Sequence, residues 1–453
     1  MHAQQHKTMI IQKDTIYALS STPGRSALSV IRITGETAFL IIKKLTRNRI
    51  KKIKHQMSIP SFIYNKNNEL IDKVVLAFFC SPNSYTGEDL VEITTHGNPI
   101  IVDNLFNTLK DLGLRLANPG EFTSRAYQNK KIDLVQAEST LSTINAKSKA
   151  GVQSSLSGLV GTLSNKLEKI KKQLVLSLAE LEYELDISEH NNSKNVIRAA
   201  KKNINTTVFE MEKLIETHNK SSVLVDGARV VITGAPNVGK STLLNALINN
   251  DRAIVTSIPG TTRDTVEALT YFSNYPVLLM DTAGIRKTKN KVEKIGIEKA
   301  KQEIKKADVV YSIQNDKNTD KNTDKNKTIK IYNKSDLMTK NQILELQTKN
   351  PDYLIVSAKN RRGLNKLKLK TVELLNLKTG SSDSLFLSSK RQQTALIKSV
   401  KHLKKALTKE SLQEIEIIAH NLKQALSEFD WVLGKTTTDD ILENVFSDFC
   451  VGK

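Results

Sequence analysis

The octapeptide GAPNVGKS, Gly234 to Ser241, constrains this chain more than any other stretch. Its G-x-x-x-x-G-K-[ST] spacing lies between an apolar run, RVVIT, and a helical one, TLLNALI. Strand, glycine-rich loop and helix in that order let backbone N–H groups close around phosphate oxygens, with the positive end of the helix dipole behind them. Asn237, Val238, Gly239 and Thr242 fall in or beside this cradle, Lys240 is placed to reach the β- and γ-phosphates, and Ser241 to bind Mg2+.

Three more elements follow in the order such a site needs. Asp281 ends an apolar run and, with Thr282, Ala283 and Gly284, forms a second metal and γ-phosphate element. In NKSD, Asn333, Lys334 and Asp336 follow the strand-like TIKIY. The Asp336 carboxylate can accept two hydrogen bonds from guanine N1–H and its 2-amino group, which adenine does not offer. Ser357, Ala358 and Lys359 follow YLIV and close over the base. The segment Thr256, Ser257, Ile258, Pro259, Gly260, Thr261 and Thr262 supplies a switch loop, with Thr262 the second Mg2+ ligand. Together they predict a guanine nucleotide site.

One residue departs from the Ras-like pattern. Ile285 stands after the DTAG glycine, where Ras-like enzymes carry a glutamine that orients the attacking water. Asn237 offers one remedy: its side-chain oxygen, with switch-loop carbonyls, can cage a monovalent cation that offsets developing phosphate charge. Asparagine is equally a common turn residue. The sequence leaves both readings open.

Around this site the pattern predicts a multidomain α+β protein. Residues 1–128 mix β-rich runs (ALSVIRITG, DKVVLAFFC, LVEITTHG) with one helix, NPIIVDNLFNTLKDLG. Residues 129–222 read as the first part of a helical domain. Leu156, Leu159, Leu163, Leu167, Ile170, Leu174, Leu178, Leu181 and Leu185 mark one face of a long helix, and Ile197, Ala200, Ile204, Val208, Met211 and Ile215 the face of a second. Residues 223–378 alternate strand and helix as a parallel sheet requires, giving an α/β nucleotide-binding domain. Residues 379–453 return to helices, through Leu396, Val400, Leu403 and Leu407 and then Ile415, Ile418, Leu422, Leu426 and Phe429. Helices on both sides of an α/β unit predict one helical domain with the nucleotide domain inserted in it. DKNTDKNTDK is a short polar repeat to which no function is assigned.

Composition narrows the partners. Two cysteines, Cys80 and Cys450, are too few for a disulfide framework, and no apolar run approaches the roughly 20 residues of a membrane helix. The expectation is a cytoplasmic protein without membrane attachment. A net charge of +21 attracts polyanions, nucleic acid foremost, although Lys and Asn are favoured throughout the chain.

Beyond the nucleotide motifs, the chain resembles the MnmE (TrmE) family of tRNA-modification GTPases, which are TrmE-Era-EngA-type P-loop GTPases. The resemblance is carried by DTIYALSSTPGRSALSVIRITG, SYTGEDLVEITTHGNP, NPGEFTSRAYQNKKIDLVQAES, AIVTSIPGTTRDTV and DTAGIRKTKNKVEKIGIEKA. The ending FCVGK is similar to the family's Phe-Cys-Ile-Gly-Lys, with Val451 in place of isoleucine. Asn98 stands where the family has the last glycine of HGG, so that turn is expected to differ.

The resemblance implies a tetrahydrofolate-binding-like N-terminal domain through which two copies dimerise, a helical domain of two chain segments, and a Ras-like G domain. It implies a potassium-dependent GTPase that joins the flavoprotein MnmG in a heterotetramer. Together they would add an aminomethyl or carboxymethylaminomethyl group to carbon 5 of the wobble uridine of certain tRNAs. The one-carbon donor would be a tetrahydrofolate derivative in its 5-formyl or methylene form, with FAD and NADH on MnmG and not on this chain. By matching position it implies K+ ligands at Asn237, Thr256, Ile258 and Thr261, and Glu293 as the catalytic residue that orients water. It implies folate contacts at Arg32, Glu88, Lys131 and Lys453. Plainer readings exist for each: a solvent-facing Glu293, ordinary surface cations at Arg32 and Lys131, a turn-capping Glu88. Cys450 is either a small apolar residue or a thiol near the folate. The competing function is an RNA- or ribosome-binding assembly GTPase acting as a binding switch, which would share only the central motifs.

Overall fold

The computed structural model describes residues 14–186, 193–248, 267–281, 302–314, 327–375, 385–408, 415–436 and 439–453. The chain forms two compact units. One is Met1–Leu141, Leu159–Val208 and Ala395–Lys453; the other is Ser142–Gly158 and Phe209–Thr394.

The first unit begins with strands β1 (Ile16–Leu19), β2 (Leu28–Thr34), β3 (Met57–Tyr64), β4 (Leu70–Phe79), β5 (Leu90–His96) and β6 (Arg115–Leu116). They form one sheet in the order β3-β4-β5-β2-β1-β6, antiparallel except for the parallel β1–β6 pair. Burial alternates along β4, as expected of a sheet with one face on the core. Helices α1 (Ala38–Leu45) and α2 (Pro99–Asp111) cover that face, seating Ile41, Ile42, Leu105 and Leu109 on Ile31, Ile33, Leu76, Phe78, Val91 and Ile93. The β-rich runs and the helix read from the sequence are β2, β4, β5 and α2.

The turn at Asn98 has a local explanation. Asn98 has φ −108°, needs no glycine, and its Oδ1 accepts a hydrogen bond from Ile100 N at 3.0 Å. With Pro99 at the first helical position, asparagine here is an N-cap. Gly97 is the position that tolerates no side chain, because a Cβ there would lie 2.2 Å from Ser26 Oγ.

Helices α3 (Glu121–Gln128) and α4 (Leu134–Asn145) follow the sheet. The leucine periodicity predicted one long helix from Leu156, and here the structure corrects the sequence. The helix is broken: α5 (Lys149–Leu159) ends, Gly161 takes φ +83°, and α6 (Thr162–Asp186) starts anew. A left-handed residue ends α-helical bonding, and glycine adopts it without steric cost. Leu163, Leu167, Ile170, Leu174 and Leu181 are buried on α6, whereas Leu156 on α5 is 42% exposed. Helix α7 (Ser193–Asp226) belongs to the first unit up to Val208.

Within the first unit α6 runs against the helix Ile415–Leu433, whose Ile415, Ile418, Leu422, Leu426 and Phe429 are buried. Lys171 pairs with Asp430, Lys423 with Glu182 at 2.6 Å and Lys435 with Glu168 at 2.6 Å. The last helix, Asp439–Ser447, packs Leu442 and Phe446 on Leu134 and Ala137 of α4. The C-terminal peptide then reaches the sheet: Ser20 Oγ donates to Gly452 O at 3.1 Å, and Val451 bridges Pro119. Gly452 is required there, since a Cβ would lie 2.3 Å from Leu19 O and φ is +99°.

The second unit holds the sheet β12-β11-β10-β7-β9-β8, built from β7 (Ala228–Gly234), β8 (Glu267–Phe272), β9 (Tyr275–Asp281), β10 (Val309–Gln314), β11 (Thr328–Tyr332) and β12 (Tyr353–Ile355). All neighbours are parallel except β8–β9. The central strand β10 is buried at every position, as both faces of a parallel sheet demand. Helix α8 (Lys240–Ile248) and the helix Leu364–Leu374 close the core with Leu243, Leu247, Leu364 and Leu367.

Candidate nucleotide and N-terminal sites

The P-loop leaves β7 between β9 and β10, at the carboxyl edge of the sheet, where α/β folds place ligands. Gly234 has φ +146° and its Cβ would lie 2.4 Å from Ile313 O. Gly239 has φ +95° and its Cβ would lie 2.4 Å from Asn333 Nδ2. Both glycines are therefore demanded by backbone shape and by close approach. Asn237 has φ +62°, a left-handed turn position that asparagine tolerates. The turn alone accounts for an asparagine here, and the side chain is exposed. Val238 is buried in the core, Thr242 is exposed on the first turn of α8, and Lys240 is 8% exposed with Nζ donating to Gly234 O at 3.0 Å and Ala235 O at 2.8 Å.

Of the residues read as metal elements, Ser241 and Asp281 lie side by side, while Thr262 is outside the described residues. Ser241 Oγ donates to Asp281 Oδ2 at 2.9 Å, joining the first turn of α8 to the end of β9. A hydroxyl and a carboxylate side by side are hard oxygen donors of the kind Mg2+ takes. Asp281 is 6% exposed.

The base-reading motifs are knitted to the P-loop by side chains. Asn333 Nδ2 donates to Val238 O at 3.2 Å and Gly239 O at 3.4 Å, while Asn333 Oδ1 accepts from Ala358 N at 3.0 Å. Lys334, at φ +64°, donates through Nζ to Asn237 O at 2.7 Å. Ser357 is wholly buried; its Oγ donates to Asp336 Oδ1 at 2.6 Å and accepts from Asn360 N at 3.1 Å. The Ser357 hydrogen bond, helped by Lys359 and Lys334, holds the Asp336 carboxyl below the usual carboxylate range. It is ionised throughout the neutral range, as an acceptor of two guanine N–H groups must be. Thr256, Ser257, Ile258, Pro259, Gly260, Thr261, Thr262, Thr282, Ala283, Gly284, Ile285 and Glu293 lie outside the described residues.

The glycine geometry gives a direct test. Gly239→Ala forces Asn333 off the two P-loop carbonyls and strains the backbone. Nucleotide affinity is expected to fall roughly tenfold or more, with far-UV circular dichroism unchanged. Wild-type affinity by titration calorimetry would refute this reading of the loop.

In the first unit, residues singled out near the sequence's N-terminal blocks gather beside β2. Arg32 Nε donates to Glu92 Oε1 at 2.8 Å, directly across the β2–β5 ladder, and its guanidinium lies 5.8 Å from the Tyr85 ring centroid. Lys453 lies near enough to feel both: burial, then Arg32, pull its ammonium below the usual lysine range, against Glu92 and Cys450. Glu88 accepts from Thr34 Oγ1 at 3.0 Å, two residues beyond Arg32 on the same strand face, and is paired with Arg125 at 3.2 Å. The Lys131 side chain runs past Gly87, whose Cβ would lie 3.3 Å from Lys131 Cγ. Sequence reasoning missed Glu92, Tyr85 and Arg125. The period-2 pattern of LVEITTH could have put Glu92 opposite a residue of β2, but not which one.

Arg125 is the most enclosed cation of this region, its side chain 7% exposed. It binds Asp14 Oδ1 at 2.7 Å, Glu121 Oε1 at 3.0 Å and Glu88, while Arg115 binds Asp14 at 2.8 Å and Glu121 at 2.7 Å. This lattice fixes the loop that carries Glu88 against α3.

Comparison with known proteins extends past the nucleotide motifs. A family model described as the GTP-binding protein TrmE N-terminus matches residues 15–131, and one described as the MnmE helical domain matches residues 134–450. A protein of Fervidobacterium nodosum named tRNA modification GTPase MnmE is 38% identical, over 98% of this chain and 98% of that protein. Proteins of the same name from Thermosipho melanesiensis and Thermotoga maritima are each 37% identical, over 97% of this chain and 100% of theirs.

Proposed function

The chain belongs to the MnmE (TrmE) family of tRNA modification GTPases, and from that membership we propose a GTP hydrolase that acts in modifying tRNA. The finer reading is a cytoplasmic, potassium-dependent enzyme that works with MnmG on carbon 5 of the wobble uridine. The observation that carries the GTPase half is Asp336, held ionised by buried Ser357 in a loop tied through Asn333 and Lys334 to the P-loop. For the tRNA half it is the identity to MnmE proteins along nearly the whole chain, which a ribosome-assembly GTPase sharing only central motifs would not show. Among the described residues no helix is long and apolar enough to cross a membrane.

In this reading the chain's own groups divide the work. Backbone N–H groups of Asn237 to Ser241 cradle the phosphates, and Lys240 leaves its carbonyl partners for the β- and γ-oxygens. Ser241 and Thr262, with the Asp281 carboxylate beside Ser241, would hold Mg2+, which would supply positive charge against the phosphates. Asn237, with Thr256, Ile258 and Thr261, would hold K+, which would supply the positive charge of an arginine finger. Glu293 orients the attacking water that Ile285 cannot, and Thr282, Ala283 and Gly284 read the γ-phosphate.

The N-terminal cluster fits an anionic ligand. Arg32 binds Glu92 through Nε, and Lys453 is close enough for the Arg32 charge to help hold its ammonium below the usual lysine range. Arg32, Glu88, Lys131 and Lys453 would contact a tetrahydrofolate derivative, which supplies the one-carbon unit when bound. FAD and NADH would reside on MnmG. We further infer a homodimer through the N-terminal domain, and a G domain inserted between the two segments of the helical domain.

Two measurements test this. Wobble-uridine modification, read by mass spectrometry of total tRNA, should vanish on deleting the gene; unchanged modification overturns the function. GTP turnover should be fast in potassium and slow in sodium, and equal rates overturn the cation cage.

A further inference from the structure

The helix Lys390–Leu407 carries Lys390, Arg391, Lys398, Lys401, Lys404 and Lys405, and residues 390–408 contain no aspartate or glutamate. Its apolar face is used: Ala395, Leu396, Ser399, Val400, Leu403 and Ala406 are buried, and Ser399 Oγ donates to Ala425 O at 3.1 Å. The opposite face is a row of cations. Lys398, Lys401 and Lys405 are exposed and sit at i, i+3 and i+7, which helical geometry stacks in one stripe. Their Cα atoms span about 10 Å of helix axis.

Two plainer explanations fall short. Lysines near a helix C-terminus complement its dipole, which accounts for Lys404 and Lys405 but not for Lys398 or Lys401. A generally lysine-rich surface would intersperse acids among its cations, as α6 does with Glu168, Glu180, Glu182, Glu184 and Asp186. On α6 and Ile415–Leu433 the cations Lys171 and Lys423 are paired with acids. Among the described residues Lys398, Lys401 and Lys405 have no ion pair; Lys398 instead lies 5.9 Å from the ring of Trp431. A row of cations without ion pairs among the described residues, one of them over an aromatic ring, is the chemistry of a nucleic-acid backbone contact. An anionic membrane is the weaker fit, because an interfacial helix inserts its apolar face and this one is already buried.

We propose that the face of Lys398, Lys401 and Lys405 binds the phosphate backbone of the tRNA substrate. The proposal rests on the tRNA-modification reading above and names where in the first unit the RNA is held. Each lysine contributes a phosphate contact without reading bases, so the surface orients tRNA and leaves its choice to other contacts.

Trp431 is the chain's single tryptophan, which makes the test label-free. In the full-length protein, tRNA titration should change tryptophan emission. The triple variant K398Q/K401Q/K405Q should bind tRNA on the order of tenfold to a hundredfold more weakly near 0.15 M salt, with the log affinity against log salt slope shallower by about two to three. GTP turnover without tRNA should be unchanged, which shows the variant folded, and K398R/K401R/K405R should bind as the wild type does. If wild-type protein binds tRNA and the glutamine variant matches it in affinity and slope, this inference fails and the function stands. Loss of phosphatidylserine-vesicle binding in the variant, with tRNA affinity unchanged, also overturns it, in favour of a membrane. Unchanged wobble-uridine modification on gene deletion instead sinks the function beneath it.

Discussion

Asp336→Asn is expected to weaken GTP binding by roughly a hundredfold to ten-thousandfold, and to move the preference to xanthosine triphosphate. Both wild-type bonds would be charge-assisted, with guanine N1–H and the 2-amino group donating to the carboxylate. Asparagine turns one acceptor into an NH2 donor, which then faces the guanine amino group donor to donor. Xanthine carries a carbonyl at that position and accepts from the new amide.

Ser357 makes the outcome sharper. Its hydroxyl hydrogen is committed to Asp336 Oδ1 while its oxygen accepts from Asn360 N, so the carboxylate is held in one plane. Ser357→Ala should cost less than Asp336→Asn, since it frees the carboxylate without removing it. The Asp336 carboxyl is held down by the Ser357 bond first, so it stays charged above the ordinary carboxylate range, and GTP preference should not titrate at neutral pH. Calorimetric titration with both nucleotides decides the matter: GTP affinity within threefold of wild type in Asp336→Asn would mean that Asp336 does not read the base.

How much of this could be read beforehand depended on how local the cause was. The P-loop was legible because its demands are met within eight residues: a strand to start, glycines where φ is positive, a helix to finish. NKSD and SAK were legible as motifs, but not the way Asn333 joins both to the P-loop, because its partners Val238 and Ala358 lie on separate loops. The break at Gly161 was missed because leucine spacing continues across it, and periodicity reports a face without reporting continuity. In the sequence Asn98 looks like a lost glycine, yet it caps α2, with Pro99 at the start of the helix.

The N-terminal site was hardest. Arg32 could be flagged by resemblance, but Glu92 as its partner depends on β2–β5 register, and Lys453 arrives from the far end of the chain. The Arg125 lattice was invisible because it draws on Asp14 and Glu88 as well as on nearby Glu121.

That lattice gives the second large effect. Arg125→Met should destabilise the first unit by about 3–5 kcal/mol near pH 7, since breaking a buried pair leaves charge uncompensated. Arg115 still binds Asp14 and Glu121, which favours the lower end, but among the described residues the Glu88 carboxylate keeps only Thr34. The pH dependence follows from the two carboxyls that are shifted. Burial raises Asp14 and Glu121, and hydrogen bonds to Arg115 and Arg125 outweigh it, so both are held below their ordinary values when folded. A depressed folded pKa gives stability that is present above the unfolded pKa and lost as pH falls through the folded one. The wild type therefore has its full advantage at neutral pH. As pH drops below the ordinary carboxylate range its acids protonate, and the gap between the two proteins narrows. Arg125→Lys, which keeps the charge but not the fork, should fall between them. Scanning calorimetry of the full chain at pH 7 and then below the ordinary carboxylate range measures both the gap and its closing; a gap that stays constant on acidification would show that Arg125 acts through packing rather than through its three carboxylates.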